Sequence, residues 1–459
     1  MPVGSHVTSN VDADLIASTY SNDQLITALY LENQFLKSYY LPKFATDPLP
    51  YPDGEEWAES PDFELSRQYL ADGRNPTQPR FLVLANGYPR DGFEYGNGFV
   101  HRRVKAYEQA GAAIDVVAFS PGQDSEIYEY DGVRVLTGGE PELAGVLAAQ
   151  RYRSISVHFL NAGMWRVLYN SRSASRFFFF LHGFEVDRWI RRDFQLETPD
   201  RLRGAIGRSL DLQRFWAQVV RDRELQGHFI FVSDWWRRLV SEDMEIAIPA
   251  RRTSTIHNVI DTDLFQYHAK GPEQRFKILW VRSARSKKYG SDLAIDCLRR
   301  LRRSPLWSRM NVRIIGDGDL FHEFEDEFRD DPQVTIERRF LPQHEIAKLH
   351  REYGIFLVPT RYDSQGVARD EAMSSGLVPV TNAVAAVPEF VDDECAVLAP
   401  AEDSSAMAEG ILRLANNPDL FQAMSRAAAE RAARQCGPAA TVNKEAELLG
   451  MVGGFDSPW

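Results

Sequence analysis

The chain has 459 residues, 44% hydrophobic and 26% charged, which is the balance of a globular protein with too much sequence for one ordinary core. Its net charge of −12 argues against general affinity for nucleic acid or an anionic membrane, leaving at most a peripheral membrane association through a local basic patch. No apolar run approaches the roughly 18 residues of a transmembrane helix.

Residues 1–75 form an extension in which Leu25, Ile26, Leu29, Phe35, Leu36, Tyr39 and Tyr40 recur at helical intervals. This predicts an amphipathic helix that buries its apolar face on its own chain or on a second copy, making a homo-oligomer one outcome. The start MPVGSHVTSNVDADL is polar and acidic, without the apolar core of a signal peptide. Cys297, Cys395 and Cys436 have neither disulfide-framework nor metal-ligand spacing, so buried free thiols in a cytoplasmic protein are expected.

From Arg80 the pattern becomes alternating strand and helix. RFLVLAN (Arg80 to Asn86) reads as a strand, Phe99 to Ala110 as a helix ended by Gly111, and Ile114 to Phe119 as the next strand. The loop between the first strand and its helix holds Gly87, Gly92, Gly96 and Gly98, which permit close backbone approach or simply a flexible turn. SISVHFLN (Ser154 to Asn161) and FFFFLHG (Phe177 to Gly183) are further buried strands, the second running into His182, Gly183, Phe184 and Glu185. Between Arg188 and Arg223 nine arginines face five acids, read as a solvated helical face. FIFVSDWW (Phe229 to Trp236) is a strand leading into a helix, with Ser233 or Asp234 as its cap.

A boundary falls near Tyr267 to Gln274, giving domains at 76–268 and 269–435 and a final segment at 436–459. The second domain opens with FKILWV (Phe276 to Val281) and the basic loop VRSARSKKYGSD (Val281 to Asp292). A helix near Asp292 to Arg302 and the strand NVRIIG (Asn311 to Gly316) follow, then strands at Val334 to Glu337 and Gly354 to Pro359 around a helix at Gln343 to Tyr353. The run after Val397 to Arg434 reads as helical.

The stretch VPTRYDSQGVARDEAMSSGLVPVTNAVAAVPE (Val358 to Glu389) carries the most information. A short apolar strand precedes it, a helix follows its polar turn, and Gly376 stops that helix before the strand Leu377 to Thr381. Asp363 lies in the turn and Glu371 about two turns into the helix, so both carboxylates can reach polar groups of one ligand at the carboxyl end of a parallel strand. Backbone N–H groups near Ser364, Gly366 and Val367 favour a phosphate there.

The spacing of Pro359, Asp363, Gly366, Glu371, Ala372, Met373, Gly376, Pro379 and Val380, with Pro388 and Glu389 downstream, resembles the retaining glycosyltransferases of family 4. The resemblance implies an α/β protein of GT-B architecture, two Rossmann-like domains facing across a cleft, here with an N-terminal helical extension. The family normally has Glu at both ends of the seven-residue spacer, whereas this chain has Asp363 at the first. Where the family has a glycine-rich turn, this chain has Ala385 and Ala386.

The resemblance further implies a UDP-, GDP- or dTDP-sugar donor, a glycan or small-molecule acceptor, no cofactor and no metal. Arg282 and Lys288 would meet the donor diphosphate, with Arg285 and Lys287 as substitutes and Gly316 nearby. Glu371 would accept hydrogen bonds from the ribose hydroxyls and Asp363 from the transferred sugar. His182 would lie near the donor sugar, and Gly96, Gly98 and Glu185 on the acceptor side, while His158 is either a cleft or a core residue. The final segment would cross back to the first domain. Asp261 and Asp263 have the letters of a metal motif but sit in the segment between the domains, where a turn is expected. Retention would follow a front-face course in which the leaving phosphate helps deprotonate the acceptor. The expected activity is sugar transfer to a glycan or cell-surface polysaccharide intermediate. The alternatives are a sugar-nucleotide epimerase or hydrolase and a non-catalytic protein that binds a sugar nucleotide or a partner.

Overall fold

The computed structural model describes residues 63–71, 78–93, 96–171, 175–186, 188–196, 198–222 and 227–451. The amphipathic stretch from Leu25 to Tyr40 lies outside them, as do residues 452–459. The first strands are β1 (Arg80–Ala85), β2 (Ala113–Phe119), β3 (Glu126–Tyr130), β4 (Val133–Gly138), β5 (Ser154–His158), β6 (Arg176–Leu181), β7 (His228–Phe231) and β8 (Thr253–Thr255). They form one sheet in the order β3-β4-β2-β1-β5-β6-β7-β8, parallel except for β3 against β4. Its helices are α1 (Glu64–Ala71), α2 (Gly98–Gln109), α3 (Glu140–Ala149), α4 (Ala162–Asn170), α5 (Pro199–Arg221) and α6 (Asp234–Met244).

Strand β6 shows why an uninterrupted apolar run suits this sheet. Phe177 and Phe179 pack into the core on one face, and Phe178 and Phe180 into the core on the other. Alternation along the strand sends successive rings to opposite sides, and a sheet covered on both faces needs both sets. Helix α1, at the end of the extension, packs on this same domain: Tyr69 is 2% exposed and its hydroxyl accepts from the Val116 amide at 2.7 Å.

The second sheet contains β9 (Lys277–Ser283), β10 (Asn311–Asp317), β11 (Val334–Arg338), β12 (Ile355–Leu357), β13 (Val378–Asn382) and β14 (Val397–Ala399), all parallel, in the order β11-β10-β9-β12-β13-β14. The order reverses between β9 and β12, so their carboxyl-end loops diverge and leave room for a ligand. Its helices are α7 (Ser291–Arg302), α8 (His322–Phe328), α9 (Gln343–Glu352), α10 (Val367–Ser374), α11 (Val387–Phe390), α12 (Ser404–Asn416) and α13 (Pro418–Cys436). Gly376 takes φ +85° after α10, and the Leu377 amide reaches back to the Ala372 carbonyl at 2.9 Å, closing the helix as a glycine C-terminus should.

Two expectations are corrected here, and one element was not foreseen. The run after Val397 is not one helix: Val397–Ala399 is a strand, and Asn417 caps a new helix at Pro418 because proline cannot continue α12. The strand expected through Trp236 ends at Phe231, where the Ser233 hydroxyl accepts from the Trp236 amide and starts α6. The hairpin β3–β4 was not anticipated.

Helix α14 (Val442–Leu449) lies on the first domain, where Val442, Ala446 and Leu449 pack with Phe178 and Phe180. Arg103 and Glu445, both 0% exposed, form an ion pair beneath it. All three cysteines are buried and free.

Candidate functional site

The loops after β9 and β12 bring two predicted residues together. Arg282, the sixth residue of β9, donates from Nη1 to the Pro359 carbonyl at 2.9 Å and from Nη2 to Asp363 Oδ2 at 3.3 Å. Its side chain is 7% exposed and that of Asp363 17%, so the pair is largely withdrawn from water. Burial lowers the Arg282 pKa while Asp363 opposes that shift. The Lys288 ammonium stands 5.5 Å from the Tyr289 ring centre and 6.0 Å from that of Tyr362, within reach of both π faces.

The Arg285 guanidinium sits 5.4 Å above Phe340, and Lys287 is exposed. Gly316 serves packing, because a Cβ there would lie 2.0 Å from the Arg282 carbonyl oxygen.

Gly366, at φ +100°, turns the chain into α10, whose first amides lie at the carboxyl end of β12. Glu371 on that helix accepts at Oε1 from Arg102 Nη1 at 2.9 Å and from Gln343 Nε2 at 3.3 Å. Burial raises its pKa, and Arg102 acts against that rise. At the turn before Pro388, Ala385 takes φ +50°, and the Ala386 amide donates to the Asp363 carbonyl at 3.1 Å. An alanine held in the left-handed region costs about 1–2 kcal/mol.

On the first-domain side, the His182 carbonyl accepts from the Ser364 hydroxyl, and Gly183 (φ +130°) leaves only room for hydrogen against that serine. His182 Nε2 and His158 Nδ1 share one hydrogen bond of 3.0 Å. Burial and nearby Arg103 push both imidazoles well below their usual pKa, so each is neutral at physiological pH. His158, 0% exposed, is therefore the buried support of His182.

Glu185 differs from the acceptor-side residue expected. Its carboxylate accepts from the amides of His182 (2.6 Å), Gly183 (2.8 Å) and Phe184 (2.9 Å), and so braces the turn that carries His182. Gly98 opens α2, and a Cβ on Gly96 would strike the Phe93 ring at 2.8 Å. Asp261 Oδ1 accepts from the amides of Asp263 and Leu264, making an Asx turn. Among the described residues no three His, Cys, Asp or Glu side chains cluster as metal ligands would.

Several cross-domain residues were not singled out from the sequence. Besides Arg102, the Arg192 guanidinium lies 4.7 Å over Tyr362 and donates to the Gly183 carbonyl, while Gln195 donates to Ser286 Oγ at 2.7 Å. Glu389 accepts from the Asp234 and Trp235 amides at 2.8 and 2.9 Å, so a second-domain carboxylate caps a first-domain helix.

Residues 275–417 match the model of a family described as Glycosyl transferases group 1. A 100-residue stretch is 32% identical to D-inositol 3-phosphate glycosyltransferase of Saccharomonospora viridis, covering 21% of this chain and 23% of that relative. The structure superposes on sucrose-phosphate synthase from Thermosynechococcus elongatus with TM-score 0.61 at 15% identity, over 81% of this chain and 98% of the other. It is also similar to an α,α-trehalose-phosphate synthase (UDP-forming) from Burkholderia vietnamiensis, with TM-score 0.60 at 14% identity over 82% and 98%. Anabaena HepE in complex with UDP and glucose gives TM-score 0.58 at 15% identity over 82% and 100%. The fold is that of the GT-B glycosyltransferases. The Arg282–Asp363 pair and Glu371 lie on the second domain, where Glu371 and neighbouring Ser364 meet Arg102 and His182 of the first. No helix among the described residues is long and apolar enough to cross a membrane.

Proposed function

We propose that this chain transfers a glycosyl unit from a nucleoside-diphosphate sugar to a hydroxyl of a sugar or glycan acceptor, with retention at the anomeric carbon. The observation that carries this reading is the grouping of Arg282, Asp363 and Glu371 at the β9/β12 switch point against first-domain residues. A UDP-sugar is the first choice of donor, supported by the similar fold that binds UDP and glucose.

As the bond to the diphosphate breaks, negative charge grows on the leaving oxygen. Arg282 and Lys288 supply positive charge at that end, and the first amides of α10 add dipoles. Glu371 takes the adjacent ribose hydroxyls, whose geometry suits a carboxylate. Asp363, shorter than Glu by one methylene, accepts from a hydroxyl of the transferred sugar and keeps Arg282 oriented. His182, neutral, supplies its imidazole from the first domain, near the transferred sugar. The leaving phosphate takes the acceptor proton, so no protein base is required and no metal is invoked.

The test pairs Asp363→Asn with Glu371→Ala, measured by calorimetric UDP binding and by product formation from UDP-sugars over an acceptor panel. Asp363→Asn should lower transfer by about 100-fold or more while leaving UDP affinity within a few-fold. Glu371→Ala should weaken UDP by about tenfold or more. Transfer intact in both variants overturns the assignment, and donor consumption without any acceptor product identifies a hydrolase or epimerase instead.

A further inference from the structure

The donor carboxylate Glu371 is used asymmetrically. Both of its side-chain hydrogen bonds fall on Oε1, from Arg102 Nη1 at 2.9 Å and Gln343 Nε2 at 3.3 Å; among the described residues Oε2 receives none. The Arg102 side chain is 14% exposed, and among the described residues Glu371 is the acceptor of its one hydrogen bond and of its one ion pair. Arg102 Nε is shielded from solvent, with no acceptor among the described residues. A guanidinium carries five N–H donors, and burying it for a single bond costs more than that bond returns. Such an investment makes sense where the ion pair prepares its carboxylate for something else.

We propose that Arg102 is a positioning residue for the donor, reaching from the first domain to fix Glu371 through Oε1 so that Oε2 faces the ribose hydroxyls. This rests on the donor-site reading above and adds to it a residue on the opposite domain. Glu371 then has its working orientation only when α2 and α10 are docked, and recognition of the nucleotide is tied to domain closure. The charged groups facing Glu371 are Arg102 from α2, Asp370 on its own helix and Asp261 from the interdomain segment; Gln343 on α9 is neutral. Arg102 is the one cation among them. Without it, burial and two acidic neighbours favour the protonated carboxyl, which offers its acceptor oxygen less well to a hydroxyl.

The experiment measures the UDP dissociation constant of the full chain between pH 5.5 and 8 for the wild type, Arg102→Gln and Arg102→Lys. Arg102→Gln should weaken UDP by about tenfold at pH 7.5 and progressively more as the pH falls. Arg102→Lys restores a cation and should bring back most of the wild-type pH profile. A loss of affinity in Arg102→Gln that is the same at every pH overturns the positioning role, as does unchanged binding. If Arg102→Gln does not fold, Arg102→Lys and Glu371→Gln carry the test: Glu371→Gln should bind weakly with only the pH dependence that the UDP terminal phosphate itself brings, at about pH 6, and the full wild-type acidic limb persisting there overturns the proposal. A wild-type protein that binds no nucleoside diphosphate defeats the donor-site reading itself, and the role of Arg102 falls with it.

Discussion

Replacing Glu445 by Ala should detach the crossing helix from the first domain. Glu445 and Arg103 are each 0% exposed; Nε of Arg103 lies 3.1 Å from both carboxylate oxygens, and the Tyr107 hydroxyl donates to the same carboxylate at 2.5 Å. Removing one member of a buried ion pair leaves an uncompensated charge and costs about 3–5 kcal/mol. For a domain of roughly 200 residues, at about 3 °C per kcal/mol, the first-domain melting temperature should fall by about 9–15 °C. Hydrogen exchange at the β5 and β6 amides assigns the loss to this domain, since a two-domain chain need not melt in one step. Replacing both partners by apolar residues, Arg103→Met with Glu445→Leu, should recover most of the loss because no charge is then stranded. A cost below about 1 kcal/mol for Glu445→Ala is the figure for an exposed pair and would refute the reasoning. The effect should also reach the donor site, because Arg103 donates to Asn258 Oδ1 at 3.0 Å and the Asn258 amide donates to Gln365 Oε1 at 2.6 Å.

Lys270, 4% exposed with its ammonium on the His350 carbonyl, has its pKa lowered from 10.5 to about 8 by burial. A lowered lysine pKa means the unfolded chain binds that proton more readily, so stability rises with pH between about 8 and 10.5 and the full penalty acts below 8. That shift corresponds to about 3 kcal/mol, so Lys270→Met should stabilise by about 2 kcal/mol at pH 7 once the lost hydrogen bond is set against it. Urea titrations at pH 7 and 10 check this, and a variant stabilised equally at both, or not at all, contradicts it. Gly183→Ala would place a Cβ 2.2 Å from Ser364 Oγ at φ +130°. It should cut transfer by about 100-fold through misplaced domains while changing UDP affinity little, and unimpaired turnover would show that the contact is dispensable.

How much the sequence disclosed depends on how local each signal is. The unit from Gly354 to Thr381 was legible because an apolar run, a helical repeat and a stopping glycine lie within thirty residues of one another. The β3–β4 hairpin was equally local and was overlooked. Its turn, Asp131 and Gly132 at φ +48° and +76°, is the Asp-Gly pair that a tight hairpin of primed type requires. Arg102 was not legible: an arginine on an amphipathic helix carries no mark of a partner 269 positions away. The basic stretch was half legible. Arg201, Arg203, Arg208 and Arg221 are exposed, as a solvated face should be, whereas Arg192 turns inward over Tyr362. Composition cannot separate those cases, since the position that decides lies on the other domain. Glu185 misled for a related reason: a carboxylate beside His182 looks available until the three amides of its own turn are counted.

The cross-domain contacts share a logic that neither domain shows alone. Glu371 meets Arg102, Ser364 meets the His182 carbonyl, Ser286 meets Gln195, and Glu389 caps α6. Every second-domain member of these contacts lies on the basic loop after β9 or within the segment running from the turn after β12 to Glu389. The residues assigned to the donor and those that join the domains are therefore neighbours on the same loops, or the same residue in the case of Glu371 and Ser364. If the proposed donor assignment holds, two functions on one set of side chains make binding and closure a single equilibrium, in which a donor is rewarded only to the extent that it fits the closed arrangement better than the open one. An unconnected pair of domains would bind a nucleotide as tightly open as closed and would expose the activated sugar to water. On the proposed reading the carboxylate assigned to the ribose takes its orientation from Arg102 on the opposite domain, and the donor would be fully recognised only where the acceptor side is already in place.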